Sequence, residues 1–101
     1  MEGKQMNRCI VIKTSFEGIH CWPECPIPSV YFLRNPHRHV FHVIMKWQVT
    51  HTDRDIEFIQ QKQQVNNYLA SLNETNLGRC SCEDIADMLH IQFPDSCFVS
   101  V

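Results

Sequence analysis

Apolar residues alternate with polar ones along Cys9-Ile10-Val11-Ile12-Lys13-Thr14-Ser15-Phe16-Glu17-Gly18-Ile19-His20, and β-branched and aromatic residues dominate Val40-Phe41-His42-Val43-Ile44-Met45-Lys46-Trp47-Gln48-Val49. A period of two with this composition predicts strands. The second strand extends back through Arg34-Asn35-Pro36-His37-Arg38-His39, so the reading is one long strand entered through a His-x-His pair. From Ile56 the period changes. Phe58, Val65, Leu69 and Leu72 repeat at helical spacing, flanked by Ile59 and Tyr68, which predicts an amphipathic helix over residues 56–72. Its other face is Gln60, Gln61, Gln63, Gln64 and Asn66, expected to meet solvent or another subunit.

Residues 73–80 read as a loop. Ser81 followed by Asp84 is an acidic form of the capping box, and Glu83 suits the positive end of a helix, so a second helix opens at Ser81. Ile85, Met88 and Leu89 give it a buried stripe, and it ends before Pro94. Cys97-Phe98-Val99-Ser100-Val101 reads as a final strand. The expected fold class is α+β: an antiparallel sheet with two helices packed on one face, in a single domain spanning residues 1–101.

Composition bounds this picture. The chain has 101 residues, 44% hydrophobic and 20% charged, as expected of one globular core. So small a core gains from assembly, and a homo-oligomer is expected. A net charge of −2 gives no footprint for nucleic acid, and no apolar run approaches the length that spans a bilayer. With no signal-like N-terminal segment, the expected location is the cytoplasm and the default state of the six cysteines is reduced.

The candidate chemistry gathers where the two long strands meet. Side chains alternate along a strand, so His37 and His39 point to one face. If the two strands pair as antiparallel neighbours, the end of the first brings His20 beside them. Three imidazoles with one open position form a catalytic zinc site. The competing reading of His37-x-His39 is a half-exposed polar pair.

Residues 21–36 carry four of the five prolines and read as a structured loop. Within it Cys25 is either a thiolate base or an inert thiol, and Trp22 and Tyr31 either pack on a planar ligand or cover the end of the sheet. Arg34 and Arg38 make a local basic spot, which either meets a phosphate or is simply solvated. Cys21-x-x-x-Cys25 with Cys80-x-Cys82 forms a rival, four-thiolate zinc set. His51, in the polar turn after Val49, reads as a surface residue.

Phe16-x-x-x-His20, a Cys-bearing loop, His37-x-His39 leading a strand, Ile56-Glu57-Phe58-x-x-x-Lys62 and Ser81-Cys82-Glu83-Asp84-Ile85-Ala86 occur in that order. Over residues 9–101 the chain thereby resembles the 6-pyruvoyl-tetrahydropterin synthase / 6-carboxytetrahydropterin synthase family. The resemblance implies a tunnelling-fold subunit whose sheet joins those of its copies, with sites at subunit boundaries. It implies Zn2+ on His20, His37 and His39, a pterin or purine-like small molecule as ligand, Arg34 and Glu83 as substrate-binding residues, and Cys25 as the proton-transferring thiol. The implied activity is a lyase acting on dihydroneopterin triphosphate or a related pterin, in the tetrahydrobiopterin or queuosine pathway; a non-catalytic zinc-bearing binder of such a ligand is the alternative. Three positions depart from the family pattern. Leu33 stands where the family carries its catalytic Cys, Leu69-Ala70-Ser71-Leu72-Asn73 replaces its Leu-Asp-His motif, and its last-strand Glu has no counterpart before Val101.

Overall fold

The computed structural model describes residues 8–50, 56–73 and 75–101. His51 and the rest of the turn after Thr50 lie outside the described residues. Strand β1 (Arg8–His20) and strand β2 (His37–Val49) pair along their whole length, antiparallel, from Arg8 opposite Val49 to His20 opposite His37. Helix α1 (Phe58–Leu72), strand β3 (Asn76–Gly78), helix α2 (Cys82–Gln92) and strand β4 (Phe98–Ser100) follow, and the sheet order is β3-β1-β2-β4.

The alternation along the two long strands decides where the core lies. Ile12 and Phe16 from β1 and Phe41, Val43, Met45 and Trp47 from β2 share one face and are buried there. Val65 and Leu69 of α1 and Ile85 and Leu89 of α2 close the same cluster from above. The α+β architecture with helices on the sheet is therefore as expected, while the other face leaves Val11 and Val40 partly exposed.

Three details differ from the sequence reading. Asn76–Gly78 falls within the expected loop but forms a short strand parallel to β1, so the sheet is mixed rather than wholly antiparallel. Gly78 ends it at φ +61°, a left-handed conformation that favours glycine. The stripe of α1 is buried only from Val65 onward: Phe58 and Ile59, in its first turn, are exposed. Within the proline-rich loop, Pro28–Arg34 winds into 3-10 turns with Pro at the start, where a missing N–H costs nothing.

The N-terminal ends of both helices are closed by side chains. Glu57 accepts the Gln60 N–H at 2.8 Å, which starts α1 after the expected Ile56. At α2 the capping box is complete: Ser81 Oγ accepts the Asp84 N–H and Asp84 Oδ2 accepts the Ser81 N–H, each at 3.1 Å. Among the described residues no helix is long and apolar enough to cross a membrane.

Candidate metal centre and cleft

At the far end of the β1–β2 ribbon the core face changes from hydrocarbon to imidazole. The register places His20 opposite His37 and Gly18 opposite His39, so all three rings belong to the face that carries Phe16 and Phe41. The ring centres of His20 and His37 are 4.4 Å apart, and those of His20 and His39 are 5.3 Å apart. Phe41 floors the group, with its ring centre 5.0 Å from that of His20 and 4.7 Å from that of His39. Gly18 leaves room here for Leu77 and the Phe41 ring. A methyl group there would come within 2.8 Å of Leu77 Cδ1 and 3.3 Å of Phe41 Cε2.

Backbone carbonyls set the tautomers of two rings. A carbonyl can only accept, so His20 donates its Nδ1–H to Cys80 O at 2.9 Å and His37 donates its Nδ1–H to Asn35 O at 3.0 Å. In its neutral form each ring presents a bare Nε2, the arrangement by which metal-bound imidazoles are oriented. His37 Nε2 is buried without a hydrogen-bond partner, an uncompensated cost that a bound cation would remove. Burial first, and then the charges of His20, His37 and His42, push the pKa of His39 down, which favours the neutral, ligating form.

Neutral imidazole nitrogens are donors of the kind zinc takes. Two imidazoles on a tetrahedral ion, with Zn–N about 2.0–2.1 Å, have ring centres roughly 5 Å apart, close to the spacings seen here. Among the described residues, however, no group of three or more His, Cys, Asp or Glu is placed so that it could hold a metal ion.

A cleft of about 530 Å³ opens beside His20 and His37, walled by the start of the proline-rich loop and the turn leading into α2. Trp22 and Leu33 line it on one side, and Cys80, Ser81, Cys82 and Glu83 on the other. Glu24 and Arg79, which also line it, form an ion pair across the opening. Leu33 is in the cleft, and its carbonyl accepts the Trp22 N–H.

The remaining sequence candidates lie in different places. Glu83 lines the cleft at the first turn of α2. Cys25 does not line it. Its side chain is fully buried, with Sγ 3.7 Å from Val30 O and 3.9 Å from Ile27 O inside its own loop. Arg34 is used to hold that loop, donating from Nε to Cys25 O at 2.9 Å while its guanidinium lies 3.9 Å over the Tyr31 ring. Arg38 sits on the other face of β2, 4.0 Å from Glu17. Of the four thiols in the rival zinc set, Cys21, Cys80 and Cys82 share the cleft and Cys25 is apart from them.

Sequence reasoning did not place Cys21, Cys80 and Cys82 beside the imidazoles. The contact depends on β3, whose pairing with the end of β1 carries the turn at Cys80 to His20. The left-handed Gly78 was the one local sign of it. No protein-family model matches this chain, and no curated protein sequence matches it.

Proposed function

We propose that the protein is a zinc-dependent, pterin-synthase-like lyase that binds a planar pterin or purine-like molecule in the cleft beside His20, His37 and His39. The observation that carries this reading is the proximity of His37 and His39 to the His20 ring, with Nδ1 of His20 and His37 held on carbonyls and Nε2 of His37 buried and unpartnered. Zinc held there would supply Lewis-acid polarisation of a ligand oxygen. The chain's own groups do the rest of the recognition. Trp22 and Leu33 offer apolar surface to a flat ring, and the Glu83 carboxylate accepts N–H groups from its edge. The start of the proline-rich loop walls one side of the cleft, and the catalytic reading assigns proton transfer to Cys25, whose thiol must then turn out of the loop that buries it.

The same reading places the protein in the cytoplasm as a homo-oligomer, with the apolar positions Val11 and Val40 covered by sheet-to-sheet assembly. A second reading, a non-catalytic zinc-bearing binder of the same class of ligand, is favoured by one observation: the Cys25 thiol is turned into its own loop.

Incubation of zinc-loaded protein with dihydroneopterin triphosphate tests the two. The lyase releases triphosphate with turnover, and Cys25→Ala abolishes it while zinc content is unchanged. Stoichiometric binding without release identifies the binder. Absence of both zinc uptake and ligand binding contradicts the proposal as a whole.

A further inference from the structure

The cleft holds a group of side chains that the proposed function leaves unused. Cys21, Cys80 and Cys82 are each half-buried and line the same opening. Two of them are held to one another's neighbourhood by the backbone. Cys21 donates its N–H to Gly78 O at 2.8 Å, which ties residue 21 to the end of β3. Cys80 donates its N–H to Leu77 O at 3.3 Å, closing a turn about the left-handed Gly78 and bending Cys80 back towards β1. The carbonyl of Cys80 is then 2.9 Å from Nδ1 of His20, the residue that precedes Cys21.

We propose that Cys21 and Cys80 are a redox-sensitive thiol pair that closes to a disulfide across the mouth of the cleft, cross-linking the end of β1 to the turn before α2. The reaction needs a two-electron oxidant of the hydroperoxide class. One cysteine sulfur attacks the peroxide oxygen, the O–O bond breaks, and a sulfenic acid and water form. The second sulfur then displaces the hydroxyl group as water. Two S–H bonds and one O–O bond are exchanged for one S–S bond and two molecules of water when the oxidant is hydrogen peroxide.

The other thiols are placed for other fates. Cys25 is fully buried, with Val30 O and Ile27 O nearest its sulfur. Cys9 pairs with Gln48 at the opposite end of the ribbon from His20 and His37. Cys97 precedes β4, its N–H bonded to Lys46 O. Cys82, which lines the same cleft, is the rival partner; burial and then the adjacent Glu83 charge raise its pKa, which disfavours its thiolate. The cross-link does not depend on zinc or on any pterin. Its consequence is local: the carbonyl that orients the His20 ring is fixed to the strand carrying that ring.

The test uses the full chain as an equal mixture of unlabelled and nitrogen-15-labelled protein, treated with one equivalent of hydrogen peroxide and then alkylated. Non-reducing digestion and mass spectrometry are expected to give a Cys21–Cys80 linked peptide of uniform label, with both residues lost from the alkylated pool and recovered after reduction with dithiothreitol. Cys82→Ser leaves this link in place. Alkylated Cys21 and Cys80 after peroxide, either residue joined to Cys82, or a mixed-label peptide overturns the proposal. The wild-type map alone decides the matter if Cys82→Ser does not fold.

Discussion

The middle of the β1–β2 ribbon and its His-bearing end are built by the same two strands, in one continuous register and on the same face, yet they bury different chemistry. In the middle, Ile12, Val43 and Met45 are at most 1% exposed and belong to the apolar cluster that both helices close. At the end, imidazoles occupy the positions that the alternation would give to Val or Leu, and one buried ring nitrogen has no partner. Folding accounts for the first region by itself. The second costs stability without a ligand, because a buried polar atom left unpaired forfeits its hydration. Departures of this kind from the local rules concentrate at functional sites.

The sharpest way to break this contrast is to truncate one residue on each side of the boundary. Phe41→Ala removes a ring that is 1% exposed and stacked on Phe16 with centres 5.0 Å apart. It is expected to cost about 3–5 kcal/mol in urea unfolding. His39→Ala, on an exposed residue two positions away, is expected to cost less than about 0.5 kcal/mol. Equal costs would mean that the two regions do the same structural work.

A smaller effect sharpens the account of the cleft wall. Ser81→Ala removes the reciprocal cap that starts α2 and is expected to cost about 1 kcal/mol. Hydrogen exchange should quicken at Asp84 and Ile85 and leave Leu69 in α1 unchanged. Loss of protection throughout α1 would show that the cap supports more than its own helix.

The smallest effect is in the pH dependence. His39 has its pKa lowered from 6.5 by burial and by the neighbouring His20, His37 and His42 charges. The unfolded chain therefore takes up a proton more readily than the folded one. The contribution is complete above about 6.5 and is lost as pH falls through the lower, folded value. Metal-free protein should unfold at lower urea concentration as pH falls below that point, and His39→Gln should flatten the slope. An unchanged slope in His39→Gln would assign it to other groups.

The elements that define the core were legible because the alternation in β1 and β2 is long and its buried face is apolar in both strands. The same regularity fixed which ring lies opposite which, since a slip of one residue would turn Phe16 and Phe41 away from the core together. The Ser81–Asp84 cap was equally readable, being a local spacing with a local cause. β3 was not. Asn76-Leu77-Gly78 has loop composition, and it becomes a strand only because Ile19 and Cys21 offer their N–H groups to Thr75 and Gly78 at a separation of more than fifty residues. The cleft was hidden for the same reason. Neither the inward turn of Cys25 nor the arrival of Cys80 beside His20 follows from spacing along the chain; both depend on contacts made after the sheet has formed.

The central claim is that His20, His37 and His39 share one divalent cation. Calorimetric titration of metal-free wild-type protein with zinc above pH 7, alongside His20→Ala, His37→Ala and His39→Ala, tests it most directly. The account predicts one equivalent bound per chain and, in each variant, a loss of affinity greater than the roughly 10–100-fold caused by removing an outer-shell partner. Zinc bound equally well by all three variants, or by none of the four proteins, would contradict it.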